Sequence, residues 1–526
     1  MDSNQFLLNY SRPIKFKIIR IVYLSMEIGT VISSAEGPSS DEFWFVLKDS
    51  KGMPVRKGEF VQIQTEEGLL VARVDQVVKT NRYFSHAESV SEYERNGRKM
   101  FEQFPVERWE YLIAHAIPLG VYVNGAQQRV SFPVSPGDKV SDINEKILSS
   151  FFGFDGSGIN IGKVEFYDVN VKLNITKLLQ KHLAILAMSG AGKSYLTSVI
   201  IEELLDRPEE LGKPAIIVVD PHSEYVGFAE DANYITKTKV YSADKISIAT
   251  NRLSTTNIKE LIPQMSSVQK RELSPIVQKL YESRRSYNLF DLIKEVEGSG
   301  MNPKTKVALV SWLSELNSTK LFSNKDSPMI EELARPGQLS VLDLSDFVHL
   351  RDRQIILTYF ARKLFDARRK ERIPPFVLFV EEAHQFAPGG EEEEFAVSRG
   401  VIEQIAREGR KFNACLVLIS QRPKRLSITA LSQANTNIIL RITNPVDLQH
   451  IAESTEGITK DVLEMIPGLK VGEALVVGEA VNYPLLVKVR ERRSKKSEKG
   501  AKLEEALARY RLKKSLDAKD VEAFMH

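Results

Sequence analysis

The rhythm of apolar positions changes along the chain. From residue 27 to about 150 they come in short runs rich in Val, Ile and aromatics: EIGTVIS, EFWFVLK, EFVQIQT, LLVARVDQVV and LGVYVNG. Turn clusters such as KDSKGMPVRKGE and TEEG separate the runs, so each reads as a strand, and several short strands in series predict a small barrel. The stretch SEYERNGRKMFEQFPVERWEYLIAH reads as a partly helical insertion. From about residue 160 the runs become almost continuously apolar: HLAILAM, AIIVVD, LSVLDL, FVLFVEE, ACLVLIS and TNIILRI. Such runs mark strands covered on both faces, as in a parallel sheet with helices between its strands. Between Thr255 and Gly337 the spacing becomes three and four, as in NIKELIPQM, VQKRELSPIVQKLYESRR, NLFDLIKEVEG and TKVALVSWLSELNS. This predicts a bundle of about four helices inserted into the sheet domain. The expected fold class is therefore α/β, with an N-terminal β-barrel and an inserted helical bundle.

Composition narrows the class. An apolar fraction of 43% in 526 residues is that of a globular chain. The single cysteine, Cys415, excludes an intramolecular disulfide and points to a reducing, cytoplasmic setting. The eight histidines form no cluster of zinc-ligand spacing. The N-terminal apolar runs are shorter than the roughly 20 residues a membrane span needs, and they lack a signal-peptide core, so no membrane association is expected. Net charge is only +3, but from Lys488 to Lys514 twelve Lys/Arg face four Glu. That segment reads either as a solvated helical tail or as an arm for a partner or nucleic acid.

The chemistry starts at LAMSGAGKSYLTSVI, Leu186 to Ile200. A strand, a glycine loop and a helix follow one another, the context of a phosphate-binding loop. Gly190 and Gly192 let backbone N–H groups approach phosphate. Lys193 supplies a point charge for the β- and γ-phosphates, and the Ser194 hydroxyl can hold Mg²⁺. The nucleotide-binding set expected here is Ser189, Gly190, Ala191, Gly192, Lys193, Ser194 and Tyr195, with ATP and Mg²⁺ as cofactors. Where the usual pattern has its first glycine, this chain has Ala187.

In PPFVLFVEEAHQF a buried strand ends on Glu381 and Glu382, at the carboxyl edge where α/β sheets bind ligands. One carboxylate, Glu381, suits Mg²⁺ and the other, Glu382, suits the attacking water. Asp220 and Glu224 in VVDPHSEY lie at the end of another strand, with roles the sequence leaves open. ACLVLISQRP ends on Gln421, an amide placed to sense the γ-phosphate. In AVSRGVIEQIAREGRKF, Arg407 and Arg410 are both candidates for an arginine finger supplied to another subunit.

In this order, HLAILAMSGAGKS, VVDPHSEY, FVLFVEEAH, IAREGRKF and LVLISQRP resemble the HerA–FtsK superfamily of hexameric DNA pumps, most of all its archaeal HerA branch of DNA helicases and translocases. The resemblance runs from about Met26 to the C-terminus. It implies a RecA-like ATPase core, a HAS-type barrel and a homo-hexamer threading duplex DNA. It also implies a NurA-type nuclease partner, in DNA end resection alongside Mre11 and Rad50. Carried onto this chain it makes Glu382 the catalytic glutamate, Arg407 the trans finger and Gln421 the sensor. Lys181 would reach phosphate across the subunit interface, and Tyr483 and Pro484 would lie against adenine. The expected organisation is an extension at 1–25, the barrel at 26–160, ATPase core at 161–254 and 337–489, the helical insert at 255–336, and a basic brace on a neighbouring subunit at 490–526. Two other readings are a VirB4-like secretion ATPase acting on protein and a nucleotide-gated scaffold. The N-terminal barrel argues against the first, and the Glu382, Arg407 and Gln421 set against the second.

Overall fold

The computed structural model describes residues 26–497, apart from 34–36, 49–54, 82–83, 85–86, 96–109, 124, 284–285 and 391–395, and a few positions between 504 and 511. The expected extension at 1–25 and most of the basic brace lie outside the described residues. The chain divides into two compact units after Leu148.

The first unit contains β1 (Glu27–Ile32), β2 (Phe43–Leu47), β3 (Phe60–Gln64), β4 (Leu69–Asn81), β5 (Glu110–Val123), β6 (Ala126–Gln128) and β7 (Lys139–Asp142). They pair antiparallel in the order β2-β1-β7-β3-β4-β5, and β2 also pairs with β5, which closes a six-stranded barrel. Phe43, Phe45, Val61, Ile63, Val74 and Val140 are among the buried side chains that fill it. Closure removes the exposed strand edges that would otherwise template aggregation. Two features escape the sequence pattern. The short, half-polar KVSD forms β7, because β1 and β3 both pair with it and Val140 is drawn inside. A helix, Ala87–Arg95, runs into the start of the expected insertion, but Glu110–His115 at its end is already strand, held by β2 and β4.

The second unit is built on β8 (Ile159–Val164), β9 (Asn170–Leu173), β10 (Leu183–Leu186), β11 (Ala215–Asp220), β12 (Thr238–Tyr241), β13 (Ile248–Ala249), β14 (Phe322–Ser323), β15 (Leu339–Asp343), β16 (Phe376–Val380), β17 (Ala414–Ser420), β18 (Thr436–Ile439), β19 (Glu473–Gly478) and β20 (Leu485–Val489). The main sheet runs β12-β15-β11-β16-β17-β10-β18-β19-β20-β8-β9. It is parallel from β12 to β18 and antiparallel beyond. Every residue of β10, β11, β15 and β16 is buried, as continuous apolar runs require. This is a RecA-like P-loop core.

The inserted helices are Thr255–Leu261, Ser267–Glu282, Leu289–Glu297 and Pro303–Ser318. Each starts on a side-chain cap, from Ser254, Ser266, Asn288 and Asn302 respectively, worth about 1 kcal/mol apiece. Arg362 ties the insert to the core by reaching both Glu260 and Gln404.

His182 opens β10 and joins three parts of the core. Its Nε2–H donates to the Ala406 carbonyl (3.0 Å), and its Nδ1 accepts the Leu416 N–H (3.0 Å). Accepting at Nδ1 needs a neutral ring, and burial pulls its pKa down to about 4. Between about 4 and the ordinary 6.5 the unfolded chain binds the extra proton, so this contribution is complete above pH 6.5 and fades as pH falls. Over that window it amounts to at most about 3 kcal/mol. Asp220 and Glu381, which burial raises to about 7, work in the opposite sense. Denaturant unfolding from pH 7 to 4.5 should therefore show a steeper loss of stability on acidification in the wild type than in His182→Gln. Equal slopes would remove His182 from the balance.

Candidate nucleotide site

β10 delivers the chain into the loop, and the helix Lys193–Leu205 leaves it. Gly190 (φ 79°) and Gly192 (φ 105°) are both left-handed, which is what turns the loop back on itself. A Cβ at Gly190 would meet nothing within 4 Å, so the mouth of the cradle is open. Ser189 and Gly190 are exposed and Ala191 is buried. Ala187 continues the strand instead of entering the turn: its methyl is fully buried and its N–H donates to the Ser420 carbonyl (3.2 Å).

The order β16-β17-β10 sets β17, which leads into Gln421, between the lysine's strand and that of the paired glutamates. Glu381 and Glu382 are buried at the end of β16, and Lys193 runs between them. Its Nζ pairs with Glu381 Oε1 and lies 3.2 Å from Glu382 Oε1. Burial alone would lower the Lys193 pKa, but the charges of Glu381, Glu382 and Glu224 hold it above its ordinary value. Burial pushes Glu381 up to about 7 against the pull of the lysine. The Tyr225 hydroxyl donates to Glu381 Oε2 (2.8 Å). Glu382 sits in the left-handed region (φ 51°), and its Oε2 is buried without a hydrogen bond. Backbone strain in a buried carboxylate at a site mouth is a mark of function.

The two acids left open by the sequence now separate. Asp220 is fully buried and accepts N–H groups from His222 (3.2 Å), Glu224 (3.0 Å) and Tyr225 (2.9 Å). It shapes the turn that presents the other two. Glu224 reaches the Ser194 hydroxyl. Hard oxygen donors from Ser194, Glu224 and Glu381 suit Mg²⁺, which takes few protein ligands and completes its octahedron from phosphate and water. Among the described residues no group of three or more His, Cys, Asp or Glu is disposed as a full metal cage.

The remaining expected residues lie at varying distance. Gln421 follows β17 and lines a cavity of about 1040 Å³ with His384, Gln385, Arg351, Arg422 and Arg425. Arg407 lies on the helix Arg399–Glu408 with its side chain 53% exposed, paired with Glu403 (3.6 Å). Lys181 pairs with Glu479. Tyr483 stacks on Phe151, ring centroids 5.5 Å apart, just before Pro484 and β20. Within one chain, then, Lys193, Ser194, Glu224, Glu381 and Glu382 come together, while Lys181, Arg407 and Tyr483 are held by other partners.

The start of the brace packs on its own chain. Glu202, fully buried in the Lys193–Leu205 helix, accepts from Arg490 Nη1 (2.8 Å), Arg493 N (2.9 Å), and Ser494 N and Oγ (both 2.7 Å). Tyr195 accepts the Arg492 N–H (2.6 Å). A buried carboxylate demands such partners, and the basic segment supplies them in cis. Residues 490–497 are thus anchored on their own chain.

Comparison with known proteins agrees with this geometry. A family model described as "Helicase HerA, central domain" matches residues 159–364. A protein named as a probable helicase from Methanocaldococcus jannaschii is 29% identical over 524 residues, covering 89% of this chain and 96% of that one. The protein named DNA double-strand break repair helicase HerA from Pyrococcus furiosus is 28% identical, covering 82% of this chain and 87% of that one. Among solved structures, VirB4 of Thermoanaerobacter pseudethanolicus superposes with a TM-score of 0.52 at 17% identity, over 64% of this chain and 98% of that one, a likeness of fold. In its barrel, its phosphate loop and its paired glutamates, as in these relatives, the chain is similar to the HerA helicases.

Proposed function

We propose that this protein is an ATP-driven helicase or translocase that moves duplex DNA through a homo-hexameric ring. The observation that carries the reading is the convergence of Lys193 with Glu381 and Glu382 across β17, the strand that leads into Gln421. Relatives named as repair helicases support DNA as the cargo. Lys193, held by two carboxylates, has a ready counter-charge to exchange for phosphate. Glu382 is then free to hold the attacking water, and Glu381 with Ser194 and Glu224 offers oxygens to the metal. Bound Mg²⁺ would neutralise charge on the β- and γ-phosphates. A half-exposed Arg407 suits a finger offered to a neighbouring subunit's site. The reading extends to a NurA-type nuclease, alongside Mre11 and Rad50, in end resection for recombinational repair.

ATP hydrolysis measured with and without duplex DNA tests the core of this. DNA-stimulated turnover is expected, and turnover indifferent to DNA would sink the DNA-motor reading. Tracking along phosphates needs no base readout. Duplexes of different sequence should therefore bind alike, and affinity should fall roughly 10³-fold between about 50 and 200 mM salt. Sequence-selective binding that persists at high salt would contradict backbone tracking.

A further inference from the structure

His384 sits between the catalytic glutamate and the sensor strand. It is 8% exposed and stands two residues after the left-handed Glu382, in the short helix Ala383–Phe386. Its Nδ1 lies 3.1 Å from Ser420 Oγ and 3.3 Å from Glu382 Oε2, the buried oxygen that has no hydrogen bond. A bare Nδ1 would put two acceptors in contact with the carboxylate, so Nδ1 carries the hydrogen. Ser420 is itself engaged on both sides. Its Oγ accepts the Arg422 N–H (3.0 Å) and its carbonyl accepts the Ala187 N–H (3.2 Å) at the root of the phosphate loop.

Glu382 therefore has one committed partner, Lys193 on Oε1, and one waiting partner, His384 beside Oε2. We propose that His384 is a positioning residue of the ATPase. When Lys193 turns to phosphate, the His384 Nδ1–H leaves Ser420 and takes Glu382 Oε2, fixing the carboxylate for water. The exchange leaves the Ser420 hydroxyl with the Arg422 N–H as its partner. The proposal rests on the ATPase reading above.

The test uses the full chain and four variants, with kcat, KM, binding of a fluorescent ATP analogue and thermal melting as readouts. Asparagine places an amide N–H near the position of Nδ1, whereas glutamine places it near that of Nε2. His384→Ala and His384→Gln are expected to lose kcat by roughly 10²-fold, the scale of a misplaced catalytic group, with analogue binding within about twofold of wild type. His384→Asn should keep kcat within about threefold, and so should Ser420→Ala, which removes only the resting partner. Equal kcat in His384→Ala and wild type would overturn the proposal. So would equal loss in His384→Asn and His384→Gln, or loss of kcat in Ser420→Ala matching that in His384→Ala. Should His384→Ala not fold, the Asn and Gln pair decides alone. A wild type that hydrolyses no ATP would instead defeat the functional reading on which the proposal rests.

Discussion

Lys193→Ala should hydrolyse ATP at less than about a hundredth of the wild-type rate, the scale of losing one charged group aimed at the transition state. The lysine is the charge that meets the β- and γ-phosphates. It also holds Glu381 and Glu382 from within the protein. Alanine therefore strips a buried carboxylate pair of its cation, a loss that in general costs about 3–5 kcal/mol. Here the cost is softened, because Glu381 already titrates at about 7 and can take a proton once the lysine is gone. The variant should melt at a lower temperature yet remain folded, with the loss of stability smaller at pH 6 than at pH 8. Its turnover is to be read beside a melting curve at both values. Turnover above about a tenth of wild type in folded protein would remove Lys193 from the phosphate site.

Mixing two inactive proteins should restore activity if Arg407 works in trans. Arg407→Ala is expected to bind ATP normally and to lose about 10³-fold in turnover, the lower range for an arginine finger. Glu382→Gln should be equally inactive for another reason, since its own water is no longer held. Geometry separates the two residues: Glu382 is buried beside Lys193, while Arg407 stands half-exposed on a helix with Glu403 as its partner. In a mixed ring, a Glu382→Gln subunit lends an intact Arg407 to the site of an Arg407→Ala neighbour. That junction has every part, while the converse junction has neither, so recovery should be partial and well below wild type. No recovery despite free subunit exchange would place Arg407 in cis or demand that every site fire. Repeating the mix with Arg410→Ala would tell a misassigned finger from strict coupling.

Some of this site is local, and the sequence alone set it. Strand, glycine loop and helix around Lys193 are contiguous, and their signals are backbone conformation and apolar period, both short-range. The buried strands of the core were legible for the same reason, and so were the four capped helices of the insert. What the sequence left open was every contact between strands distant in the chain. Glu224 and Asp220 look alike in VVDPHSEY. Only the fold turns one toward Ser194 and wraps three backbone N–H groups around the other. β7 is too short and polar to announce itself, and exists because β1 and β3 supply its hydrogen bonds. His384 was visible two residues after Glu382, yet nothing local distinguishes it from a core histidine. Its meaning comes from Ser420, 36 residues on, which β17 brings alongside. The basic segment at 490–497 carried charge but no address, and the address is Glu202, 288 residues before Arg490, whose buried carboxylate had to be met from within the fold. Periodicity and loop chemistry are properties of neighbours along the chain, whereas the pairing of buried charges is a property of neighbours in space.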